Sequence, residues 1–74
     1  MSRLIRMDRT GHTTLAEWST ADRDSVEGAV AAFREELDRG SIAMVAEREG
    51  EATHVRELPV DADLVIMRRP IAGG

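Results

Sequence analysis

The chain has 74 residues, enough for one small domain that buries only about 60% of the surface its unfolded form exposes. Ten of its apolar residues are alanine and only Trp18 and Phe33 are aromatic, so a thin core is expected, with no room for a walled small-molecule pocket of about 300 Å³ or more. Fourteen acidic against ten basic residues leave a net charge of −4, the wrong sign for neutralising phosphates, so the composition argues against a nucleic-acid binder and fits a basic partner better.

Arg3 to Met7 is short and rich in large aliphatics, Asp8 to Gly11 carries turn chemistry, and Thr13 to Trp18 adds β-branched and aromatic content. These read as a first hairpin. A helix is expected from about Asp24 to Arg39, because Val26, Ala29, Val30, Phe33 and Leu37 recur at three- and four-residue steps. Asp24 with Glu27 has capping-box spacing, Asp22 is a rival cap, and Gly40 is a left-handed stop. Gly28 costs about 1 kcal/mol against alanine inside a helix and would mark a close approach of helix to sheet. Ser41 to Ala46 and Ala52 to Leu58 read as a second hairpin turning at Glu47 to Glu51. The unbroken apolar run Leu64 to Met67 predicts a central strand, covered on both sides or lying mid-sheet. Residues 1–68 form one domain on this reading, and 69–74 project as a tail.

Few residues offer chemistry of their own. The chain has no cysteine, which removes disulfides, thiolate metal sites and sulfur nucleophiles and suits a reducing cytoplasm. His12 and His54 stand 42 positions apart with no ligand spacing between them, so no metal is expected and both read as surface histidines. Ser19 and Ser25 lack a His and Asp constellation and read as loop and helix-start residues. Glu35 and Glu36 point about 100° apart on adjacent helix positions, cannot share a proton or a metal, and read as a solvated face. Trp18 is either an exposed partner anchor or core, and core is favoured. No leader or membrane span is read; the longest apolar run is far too short to cross a bilayer.

The C-terminus says most. A Gly-Gly ending occurs by chance in about 0.5% of chains at average glycine usage. Without Cβ atoms, Gly73 and Gly74 can thread a channel that excludes side chains and deliver a terminal carboxylate to a distant active site. A carboxylate is a poor electrophile, so it becomes a handle only after activation, as when ATP converts it to an acyl-adenylate that sulfur or an amine attacks. Such a protein is a substrate, not an enzyme.

The ending Asp63-Leu64-Val65-Ile66-Met67-Arg68-Arg69-Pro70-Ile71-Ala72-Gly73-Gly74 resembles the last strand and tail of the β-grasp sulfur carriers, such as the molybdopterin-synthase small subunit and the thiamine-pathway carrier. The element order is also that of ubiquitin, whose opening hairpin turns through Thr-Gly as Thr10-Gly11 does here. The resemblance implies an α+β β-grasp (ubiquitin-like) fold, a mixed sheet of four or five strands packed on one helix. It implies that Gly74 carries the reacting carboxylate, that Gly73 and Ala72 thread the channel of a partner adenylating enzyme, and that Pro70 and Ile71 stiffen and anchor the tail. Arg68 and Arg69 are closer to ubiquitin's basic tail than to a sulfur carrier's apolar one. Carrier and protein modifier therefore both stand, with a sulfurtransferase or a target protein as further partner and no cofactor. All ten basic residues are arginine, and a chain without lysine cannot build lysine-linked chains on itself. The alternative is a non-catalytic interaction module, adaptor or accessory subunit, in which the diglycine is incidental and an edge strand or the acidic helix makes the contact.

Overall fold

The computed structural model describes residues 1–48 and 51–69. Strands β1 (Ser2–Asp8) and β2 (Gly11–Trp18), helix α1 (Arg23–Asp38), and strands β3 (Ile42–Arg48), β4 (Glu51–Val55) and β5 (Leu64–Arg68) follow in that order. They build one mixed sheet in the order β2-β1-β5-β3-β4, with β1 and β5 parallel and the other three pairings antiparallel. One helix on a five-stranded mixed sheet is the α+β, β-grasp arrangement expected from the sequence. The first hairpin turns at Asp8 to Gly11, where Gly11 has φ +124° and the Asp8 carboxylate accepts from the Thr10 amide at 2.8 Å and its hydroxyl at 2.6 Å. These bonds, the hydroxyl's first, hold the Asp8 carboxyl below its ordinary pKa.

The helix begins two residues earlier in its capping than the Asp24–Glu27 spacing suggests: Asp22 is the cap, its side chain accepting from the Ser25 amide at 3.4 Å. It stops at Gly40, whose φ of +94° lets its amide reach the Leu37 carbonyl at 2.9 Å while the Ser41 amide bonds the Glu36 carbonyl at 3.1 Å. Ser25 ties this helix start to β2, its hydroxyl accepting from the Ser19 amide at 3.0 Å and donating to the Asp22 carbonyl at 2.7 Å. The expected apolar face is rotated slightly. Ala29, Phe33 and Glu36 are buried, and Val26, Ala32 and Leu37 flank them, whereas Val30 is only half-buried and stands outside the core.

Gly28 does not mark a close approach. It is exposed, and a Cβ added there would meet nothing within 4 Å. Gly28→Ala therefore relieves the entropic cost of glycine without a clash and should stabilise the domain by about 0.5–1 kcal/mol, read as a higher urea midpoint at unchanged slope.

The core lies between α1 and one sheet face. Leu4, Trp18, Ala29, Phe33, Ala43, Val45, Val65 and Met67 are all at most 5% exposed. Trp18 is thus core, as favoured from sequence, and its indole Nε1 donates to the Val60 carbonyl at 3.0 Å. The second hairpin is shorter on its return than expected: β4 ends at Val55, and Leu58 with Ala62 folds in against the core instead of continuing the strand. Positions 49 and 50 of its turn lie outside the described residues.

Candidate functional site

The sheet register sorts every strand residue onto one of two faces. On the helix side, the row Ala16–Leu4–Val65–Val45–Thr53 crosses all five strands, followed by Thr13–Arg6–Met67–Ala43–Val55. One extra residue in β2, Leu15, sits between the partners of Leu4 and Ile5 and keeps the pattern in step as a bulge. The opposite face carries the row Thr14–Ile5–Ile66–Met44–His54, and beside it His12–Met7–Arg68–Ile42. No described element covers that second face.

The open face is strongly apolar at its centre. Ile5 is 7% exposed yet stands outside the core cluster, Ile42, Met44 and Ile66 are half-buried, and Met7 and Leu64 are exposed at 45% and 37%. Its rim is basic or titratable, with Arg3, Arg68, His12 and His54 exposed. The apolar run Leu64 to Met67 is therefore central in the sheet but covered on one side only. Val65 and Met67 enter the core, whereas Leu64 and Ile66 are left on the open face.

Strand β5 is the middle strand, between β1 and β3, so the chain leaves the sheet from its centre at Arg68, in the same row as Met7 and Ile42. Arg68 and Arg69 are both exposed. Pro70, Ile71, Ala72, Gly73 and Gly74, the remaining tail positions assigned from sequence, lie outside the described residues.

Under this exit, on the helix side, sits a charged cluster that sequence reasoning misplaced. Glu35 is exposed as expected, but Glu36 is 5% exposed and not part of a solvated face. It lies one turn beyond Phe33, where its carboxylate is 3.8 Å from the Arg6 guanidinium and 3.5 Å from that of Arg39. Arg39 also reaches Glu35 at 2.8 Å. The cluster joins the end of α1 to β1 beside the start of β3, where Ser41 is 5% exposed and its hydroxyl has no partner among the described residues.

At the opposite end of the sheet an open cleft of about 280 Å³ is lined chiefly by Ser2, Trp18, Thr20, Val60, Asp61 and Asp63. Its residues come from the start of β1, the end of β2 and the loop before β5, and no local motif links them. Among the described residues, no group of three or more His, Asp or Glu side chains gathers at metal-binding distance. No described helix is long and apolar enough to cross a membrane.

No protein-family model, no curated protein and no solved structure matches the chain. The fold and the tail's residues are what any functional reading must rest on.

Proposed function

We propose that the chain is a ubiquitin-like or sulfur-carrier protein whose Gly74 carboxylate is activated by a partner adenylating enzyme. The carboxylate attacks the α-phosphorus of ATP and expels pyrophosphate. A sulfur nucleophile or an amine then adds to the acyl carbon of the adenylate and AMP leaves, giving a thiocarboxylate or an amide bond. The observation that carries this reading is the position of the exit: the central strand of a β-grasp sheet ends at Arg68 beside an uncovered apolar face, and in the sequence Gly73-Gly74 begins five residues later.

That adjacency has a physical use. A tail in an extended channel makes few contacts and is costly to order, so most affinity for the activating enzyme must come from a folded surface beside it. Met7, Ile42, Met44, Leu64 and Ile66 supply apolar area there around the buried Ile5, and Arg68 continues the face into the tail. Arg69, Pro70, Ile71, Ala72 and Gly73 then serve as the guided segment.

Chain-dependent exchange of radiolabelled pyrophosphate into ATP by an adenylating enzyme from the same host tests the reading, because exchange requires a carboxylate that accepts AMP. Met7→Glu tests the face. The side chain is exposed, so the thermal midpoint should hold within a few degrees, while a buried charge in the contact should weaken enzyme binding at least about tenfold, or 1.4 kcal/mol. An interaction module using the same face would respond to Met7→Glu but give no exchange.

A further inference from the structure

The net charge of −4 is unevenly distributed over the molecule. The parallel pairing of β1 with β5, and the antiparallel pairings of β3 with β5 and with β4, gather several segment ends where the chain leaves the sheet. Those segments bring arginine with them. Arg9 stands in the first turn, Arg39 closes the helix ahead of β3, Arg56 follows β4, and Arg68 and Arg69 lead out of β5. All are exposed, and with the half-buried Arg6 they place six of the ten arginines at one end of the sheet.

Part of that charge is matched locally. Glu35 pairs with Arg39 at 2.8 Å, and Glu36 lies 3.5 Å from Arg39 and 3.8 Å from Arg6. Arg9, Arg56, Arg68 and Arg69 are in no ion pair among the described residues. The further acids at this end are Asp8, bonded to Thr10, and the exposed Asp38 and Glu57. The other end of the sheet has the reverse balance, with Glu17, Asp22, Asp24, Asp61 and Asp63 exposed against Arg3, Arg23 and the Met1 ammonium. A molecule polarised in this way turns its basic end toward negative potential before contact.

We propose that Arg9 and Arg56, on loops at opposite sides of the tail exit, join Arg68 in docking on an acidic rim around the partner's tail channel. The inference rests on the reading that an adenylating enzyme takes the tail, and it specifies the surface that enzyme presents: apolar at its centre, carboxylate-rich at its edge. Arg68 shares a row with Met7 and Ile42, so the basic end is continuous with the open apolar face and one partner can cover both. A nucleic-acid backbone would satisfy the guanidiniums but not that apolar area, and Asp8, Asp38 and Glu57 interrupt a continuous phosphate track. A second copy meeting this face with its own would set Arg3 and Arg68 against like charges.

Chain-dependent pyrophosphate exchange by the host's adenylating enzyme, followed against chain concentration at saturating ATP, tests the assignment at about 50 mM and about 500 mM salt. The half-saturating concentration of the unaltered chain should rise at least about fivefold at the higher salt, with the maximal rate little changed. Arg9→Glu and Arg56→Glu, each with an unchanged urea midpoint, should raise it about three- to tenfold at low salt and much less at high salt. Arg23→Glu makes the same charge change at the other end of the molecule and should leave it within about twofold. Exchange whose half-saturation ignores salt, or responds to Arg23→Glu as strongly as to Arg9→Glu and Arg56→Glu, would overturn the inference and leave the parent reading standing. Tight, salt-sensitive binding of a single-stranded RNA oligomer that Arg9→Glu and Arg56→Glu abolish, or salt-sensitive self-association of the chain through these residues, would also overturn it. No exchange by the unaltered chain would overturn the parent reading and this inference with it.

Discussion

Trp18→Ala should leave the chain unfolded at room temperature. The side chain is the largest fully buried one, and removing an aromatic of that size from a core costs about 3–5 kcal/mol. The substitution also strips the Val60 carbonyl of its 3.0 Å donor, which adds about 1–3 kcal/mol if no water replaces it. A core of this size rarely supplies more than about 3–5 kcal/mol in total, so the loss meets or exceeds the whole stability. Trp18→Phe separates the two contributions: it keeps much of the packing, loses the donor, and should fold with a lowered midpoint. Far-ultraviolet circular dichroism with a urea titration reads both variants. A cooperative, native-like transition in Trp18→Ala would mean that the loop from Leu58 to Asp63 is not anchored through the indole.

Deletion of Gly73 and Gly74 should have the opposite profile, with full loss of activation and no loss of fold. Among the described residues no core residue lies beyond Met67, so the urea midpoint of the shortened chain should match that of the full one. The new terminal carboxylate would belong to Ala72, two residues short of the activating enzyme's nucleotide and burdened with a Cβ. Chain-dependent pyrophosphate exchange should therefore fall to background, while binding through the open face persists at reduced affinity. Retention of exchange by the truncated chain would remove Gly74 from the chemistry.

Much of the fold was legible because local signals and long-range order agreed. Asp8 to Gly11, Gly40 and the three- and four-residue apolar steps of the helix marked out the element order, and the unbroken run at 64–67 pointed to the central strand. That same run hid the open face. An apolar strand covered on both sides and one covered on a single side read alike in sequence, and only the register that aligns Ile66 with Ile5 and Met44 separates them. Glu36 was misplaced for a related reason: helical spacing puts it beside Phe33, but its charge argues for solvent until Arg6, thirty positions away, is brought within 3.8 Å. Gly28 carried a signal that belonged to no contact. The cleft had no signal at all, since Ser2 and Asp61 meet only through the pairing of β1 with β5 and the loop that precedes it. The tail was read from residue type alone, and that is where a covalent measurement bears hardest.

The most direct measurement is the intact mass of untagged protein recovered from its own host, combined with a search for its tail on lysines of other proteins. The account predicts either the mass increment of sulfur replacing one oxygen at Gly74, or a branched remnant running from Pro70 to Gly74 on a target lysine, with Arg69 retained where cleavage before Pro70 fails. An unmodified Gly74 carboxylate and no branched remnant, under sulfur-replete growth and under stress alike, would contradict it and leave the open sheet face as a plain interaction surface.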